Sequence, residues 1–153
     1  MSKYAITTET LTAQPVLSMR FTAAKEQLAA KFAEVLPAVY GHAMQGEAKP
    51  AGQPFARYHT MGEPIDVEAG LPTSQPGVAT DAIAVSELPG GPAATTIHRG
   101  PYDGLGDAYE ALYAWAKEND RAPAGGPWEI YLTDPGAQPD PQQWETKVIL
   151  PLS

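Results

Sequence analysis

Residues 53–58 read QPFARY and residues 126–131 read GPWEIY. Aligned, Pro54 meets Pro127, Phe55 meets Trp128 and Tyr58 meets Tyr131. The agreement extends on both sides. Leu28, Phe32 and Val35 match Leu105, Tyr109 and Leu112, and Leu71-Pro72 matches Leu150-Pro151. An internal match of this length restricts the fold to two copies of one supersecondary unit. Each copy is too short to bury a core alone. The two are therefore expected to pack as one domain over residues 1–153, with half-repeats of about 1–75 and 76–153.

Hydrophobic periodicity gives the module its elements. Val16–Phe21 alternates as a strand. Ala23 to about Leu36 carries apolar residues at helical spacing, and Pro37 is expected to end or kink that helix. Residues 55–59 and 65–72 read as a strand pair. In the second half, 78–92 gives a strand and a turn, and 93–100 a further strand. Residues 103–119 give a helix with Leu105, Tyr109, Leu112 and Trp115 or Ala116 on one face and Asp103 as its cap. Residues 128–132 and 144–152 close the chain as strands. The predicted fold is α+β: an internal duplication of two strand-helix-strand-strand modules, an antiparallel sheet with helices on one face, and a ligand cleft between the halves.

Several classes of function are excluded. The formal charge of −8 argues against direct nucleic-acid binding, which needs a basic face. There are no cysteines, so neither disulfides nor thiolate metal sites can form. No apolar run approaches a membrane span, and the first residues lack a signal region, so the cytoplasm is the expected compartment and no membrane partner is expected. His42, His59 and His98 show no metal-ligand spacing, and no phosphate-binding glycine loop is present. No metal and no cofactor are predicted.

The repeat also isolates a candidate site. In WEIY, Trp128 and Ile130 share one face of the strand, Glu129 and Tyr131 the other. The equivalents in the first half are Ala56 and Tyr58, so the acid stands in one copy only. A requirement of the repeated fold would place it in both. Glu129 is therefore read as a buried carboxylate with a task, or else as a solvated strand-edge acid. Tyr58, Tyr131 and Tyr102 are the aromatic partners. Sheet packing is the alternative for the first two, and a hydrophobic staple at the helix start for Tyr102. Trp144 suits either role, whereas Trp128 is expected to pack as core under the helix.

The segments HRGPYDGLGDAYEALYAWA (98–116), GGPWEIYLTDP (125–135) and WETKVILPL (144–152) resemble the GyrI-like small-molecule-binding domain, the effector-binding domain of AraC-type and MerR-type regulators. The resemblance covers nearly the whole chain and implies two side-by-side modules with a ligand cleft. It places a cleft glutamate of the family's E-x-Y motif on Glu129 and Tyr131, among aromatic rings that bind lipophilic cations. The fused regulators carry a DNA-binding module first. Here only about fifteen residues precede the first aligned strand, so the chain is similar to stand-alone members.

Three readings follow from the resemblance. The first is binding of amphipathic cationic or aromatic molecules by Glu129, Tyr131, Tyr58, Tyr102 and Trp144, for multidrug binding, sequestration or sensing. The second is hydrolysis of cyclopropane-bearing alkylating natural products, with Glu129 as catalytic base and Tyr131 as its helper. The third is inhibition of a protein partner, DNA gyrase.

Overall fold

The computed structural model describes residues 4–60, 62, 64–134 and 136–153. In chain order its elements are strands β1 (Thr7–Leu11) and β2 (Gln14–Ala23), helix α1 (Leu28–Gln45), strands β3 (Phe55–Thr60), β4 (Ile65–Pro72), β5 (Ala84–Leu88) and β6 (Gly91–Arg99), helix α2 (Leu105–Glu118), and strands β7 (Trp128–Tyr131) and β8 (Glu145–Pro151). Short 3-10 turns precede each helix, at Lys25–Gln27 and Tyr102–Gly104. Among the described residues no helix is long and apolar enough to cross a membrane.

Two compact units divide these elements. One is formed by Thr12–Gly90, the other by the residues up to Leu11 together with Gly91–Ser153. In the first, the strands pair antiparallel in the order β3-β4-β2-β5. Helix α1 packs on one face of that sheet. Val35, Val39 and Ala43 meet Leu17, Ala69 and Leu71, with Phe21, Phe32 and Leu36 at the margin. In the second unit the antiparallel order is β7-β8-β6-β1. Leu105, Ala108, Leu112 and Ala116 of α2 meet Ala94, Val148 and Leu150. The end strands β3 and β7 keep one register against their neighbours β4 and β8. Phe55, Ala56 and Tyr58 face Gly70, Ala69 and Val67, while Trp128, Glu129 and Tyr131 face Ile149, Val148 and Thr146. The residues aligned from sequence thus stand at equivalent positions of the two units.

The structure corrects the sequence reading at four places. Helix α1 starts at Leu28 and runs through Pro37 to Gln45. An interior proline costs about 3 kcal/mol. The buried row Val35, Val39 and Ala43 continues at four-residue spacing past it and offsets that loss. Asp103 does not cap α2. It lies within the 3-10 turn, and Gly104 occupies the cap position without a side-chain bond. Strand β1 was not expected, because TTETL has no apolar face. It pairs along β6 through its backbone, with Thr7 Oγ1 at 2.9 Å from Thr95 Oγ1 and Glu9 at 3.0 Å from Lys147 Nζ. Finally, Trp128 is buried, but not under the helix. It pairs with Ile149, whereas the residues that meet α2 are Val148 and Leu150, so Trp128 faces away from α2.

Candidate ligand-binding site

The same alternation turns Glu129 and Tyr131 toward α2. Glu129 stands opposite Val148, a residue of the α2 core, and Tyr131 two residues on stands opposite Thr146. Glu129 is 3% exposed. Its carboxylate is held by two hydroxyls. Tyr109 of α2 donates to Oε1 at 2.6 Å, and Tyr131 donates to Oε2 at 2.7 Å. Both lengths are those of hydroxyl-to-carboxylate bonds. Among the described residues, no lysine, arginine or histidine pairs with Glu129. Burial pushes its carboxyl above the ordinary range, and the two tyrosine bonds offset only part of that rise.

Tyr109 was read from sequence as a core residue of the α2 stripe, and its site role was missed. The signal was available: a tyrosine on an apolar stripe must find a partner for its hydroxyl when buried. It is one turn beyond Leu105, and Glu129 is the acceptor it reaches.

An aromatic group adjoins the acid. The Tyr102 ring lies 5.5 Å from the Tyr131 ring, inclined at 58°, and 5.0 Å from the Trp144 ring, inclined at 33°. Tyr102 is 37% exposed. Burial raises the pKa of its hydroxyl, and the negative charges of Glu129 and Asp134 add to the rise. Trp144 is fixed by its indole N–H, which donates to the Gln138 carbonyl at 2.8 Å. The peptide N–H of Gly100 donates to the Trp144 carbonyl at 2.8 Å and joins the two segments that carry these rings.

The turn that carries Tyr102 is held from below. Gly100 has φ of +125°, a conformation that disfavours any side chain. His98 is buried, and both ring nitrogens are engaged: Nε2 is 2.9 Å from the Pro101 carbonyl and Nδ1 is 2.8 Å from the Tyr4 hydroxyl. A carbonyl only accepts, so Nε2 carries a proton and donates, leaving Nδ1 to accept from Tyr4. A Cβ at position 104 would approach His98 Cε1 to 3.0 Å, so glycine there lets the turn settle on the ring.

Four of the five residues singled out from sequence, Glu129, Tyr131, Tyr102 and Trp144, come together in one unit. Tyr58 lies on β3 of the other, 7% exposed and opposite Val67. The position there equivalent to Glu129 is Ala56, fully buried opposite Ala69.

A second buried carboxylate was not anticipated. Glu68, in the unit that holds Tyr58, accepts from Ser18 Oγ at 2.6 Å and stands 2.9 Å from His59 Nε2. Burial pushes its carboxyl up, but the bonds from Ser18, His59 and Ser86 outweigh burial and hold it below the ordinary range. Among the described residues, no group of three or more acids and histidines is placed to hold a metal ion.

The profile of the GyrI-like small molecule binding domain matches this chain over residues 4–153. The chain belongs to this family. Among solved structures, this GyrI-like domain is similar to the EcmrR C-terminal domain at 24% identity with a TM-score of 0.87, covering 99% of this chain and 98% of that one. It likewise matches EcmrR in its complex with DNA at 24% identity and a TM-score of 0.86, covering 98% of this chain but only 57% of the EcmrR chain. A hydrolase from Listeria innocua matches at 13% identity and a TM-score of 0.65, over 100% of this chain and 94% of that one. SAV2435 bound to tetraphenylphosphonium matches at 11% identity and a TM-score of 0.61, over 99% and 94%. At these identities the likeness establishes the fold alone. Among curated proteins none matches.

Proposed function

We propose that this GyrI-like domain binds amphipathic cationic or aromatic small molecules at Glu129, with Tyr109 and Tyr131 holding the carboxylate and Tyr102 and Trp144 offering ring faces. The observation that carries this reading is the state of Glu129: an acid at 3% exposure that, among the described residues, is held by two neutral hydroxyls and no cation. A buried carboxylate without a cation is unfavourable, and burial raises its pKa accordingly. A bound cation supplies the missing charge. Aromatic faces add about 0.5–2 kcal/mol for each good contact. A flat, weakly hydrated cation suits such a site because little hydration is lost on entering it. SAV2435, a relative in fold, is known bound to tetraphenylphosphonium, a lipophilic cation that is tetrahedral and not flat. The test is calorimetric titration of an aromatic cation and of its neutral isostere against wild type and Glu129→Gln. Binding that is indifferent to the ligand's charge rejects the reading.

A second reading, hydrolysis of a strained neutral electrophile, draws on the same acid. A carboxyl with a raised pKa is a better proton acceptor near neutrality than an ordinary one. In that reading Glu129 takes a proton from water and Tyr131 orients it. Mass spectrometry of a cyclopropane-bearing alkylator incubated with the protein separates the two. A hydrolysed product supports catalysis, and stoichiometric protection without product supports binding.

A further inference from the structure

On the α2 face of the second unit, one polar atom stands without a partner between two completed groups. Thr146 is fully buried, and among the described residues its Oγ1 has no hydrogen-bond partner. It sits on β8 opposite His98 of β6 and opposite Tyr131 of β7. Both nitrogens of His98 are engaged elsewhere, and the Tyr131 hydroxyl gives its proton to Glu129. A buried hydroxyl with no partner destabilises the fold, whereas an apolar group of the same shape does not. The molecule itself contains that comparison. At the equivalent register of the other unit, opposite Phe21 and Tyr58, stands Val67, also fully buried. The module is therefore satisfied by valine at this place, and the threonine calls for a reason outside the fold.

We propose that Thr146 Oγ1 is a ligand contact, and that the site selects cations carrying N–H groups, such as protonated amines and amidiniums, over quaternary onium ions of the same size. The inference rests on the reading of Glu129 as the charge partner and adds the kind of cation. Each oxygen of Glu129 already accepts one tyrosine hydroxyl and has lone pairs left for further donors. Thr146 is its diagonal neighbour across β7 and β8, a relation that puts the two Cα atoms ~7–8 Å apart and the side chains on one face. A cation with N–H groups can donate to the carboxylate and to the hydroxyl at once. A quaternary ion satisfies the charge but has no proton to donate, so it forgoes both bonds and leaves Thr146 unpaired.

The experiment compares an aromatic secondary amine, whose protonated form carries two N–H groups, with the quaternary derivative that has methyl groups in place of both, by calorimetry. The proteins are wild type, Thr146→Val, Thr146→Ser and Glu129→Gln. Wild type is expected to prefer the N–H cation, with about ten-fold of the preference owed to Thr146, the scale of one hydrogen bond involving a charged group. Thr146→Val should reduce the preference by about that factor, leaving the share due to Glu129, while binding the quaternary ion as well as before, and Thr146→Ser should keep the wild-type preference. The thermal midpoint of Thr146→Val should equal or exceed that of wild type. A wild type that binds both cations equally overturns the proposal, as does a Thr146→Val protein whose preference is undiminished. A lowered midpoint for Thr146→Val also overturns it, since the hydroxyl then serves the fold. In each of these cases the Glu129 reading stands if Glu129→Gln weakens both cations, and falls if it weakens neither.

Discussion

Replacing Glu129 with glutamine removes a charge and almost nothing else. The side chains have one shape. The amide oxygen can still accept one tyrosine hydroxyl, and the amide NH₂ can donate to the oxygen of the other, so Tyr109 and Tyr131 keep partners. The effect on binding follows from Coulomb's law. A cation about 4 Å from the carboxylate gains about 4 kcal/mol at an effective dielectric of about 20. Part of that gain is spent on ionising an acid whose pKa burial has raised, and part is recovered by the amide dipole. A net loss of about 1.4–2.7 kcal/mol remains, ten- to hundred-fold in affinity. A neutral isostere should lose little. Stability should hold or rise slightly, because a buried charge has gone.

The pH dependence of the same pair of proteins provides an independent check. The native pKa of Glu129 lies above its ordinary value of 4.5, so the folded protein binds this proton more tightly than the unfolded chain. Its contribution to stability is fully present below the ordinary value and is lost as pH rises through the raised native value. Cation affinity runs the opposite way and increases through that window, because binding favours the ionised form. Denaturation and titration across the acid-to-neutral range should show both slopes in wild type and neither in Glu129→Gln. Equal losses for neutral and cationic ligands would refute the reasoning and leave Glu129 with a shaping role only.

Other residues give shorter tests. Tyr102→Ala should weaken aromatic cations by about 0.5–1 kcal/mol, two- to five-fold by calorimetry, with little change in thermal midpoint, since the ring is partly exposed. His98→Leu removes the bond to Pro101 and should lower aromatic-ligand affinity through Tyr102, while His98→Gln, which can still donate there, should restore much of it. Glu68→Gln should lower stability at neutral pH by about 1–3 kcal/mol, read by urea denaturation, because it weakens the bonds that Ser18, His59 and Ser86 make to a charged acceptor. Glu68 is held below the ordinary range, so its contribution is present above the unfolded value and is lost as pH falls through the native one. The acid limb of the wild-type stability profile should flatten in this variant.

The matched strand positions were legible because their strongest tokens are large and directional. Phe55 and Trp128 are buried strand residues at one register, and Leu-Pro closes β4 and β8 alike. Alternation also put Glu129 and Tyr131 on one face. It could not say which face carried the helix, because in an isolated strand both faces contain aromatic residues. The side was fixed only by Val148, whose burial against α2 depends on the pairing of β7 with β8. Tyr109 was hidden for a related reason, since a helical stripe looks the same whether its tyrosine fills the core or reaches an acid. Glu68 was hidden because its donors lie on other strands, Ser18 at 50 residues' separation and His59 at nine, and meet it only through the sheet. Strand β1 was hidden because pairing through the backbone leaves no hydrophobic signature.

Register turns the repeat into an internal control for function. At three equivalent positions, the unit formed by Thr12–Gly90 carries Ala56, Val67 and Phe21, where the other carries Glu129, Thr146 and His98. Beneath the helix, these three positions are thus apolar in one unit and polar in the other, within a core that is otherwise apolar in both. The apolar version shows what the module needs to fold. Each polar substitution in the other adds a desolvation cost that burial of apolar surface would not carry, and His98 alone has both of its ring nitrogens matched by protein groups. Among the described residues, Glu129 has donors but no countercharge, and Thr146 Oγ1 has no hydrogen-bond partner. A cation bearing N–H groups is the one ligand class that supplies both at once, which is why the mismatch between the units points to the chemistry of the ligand and not to the architecture that holds it.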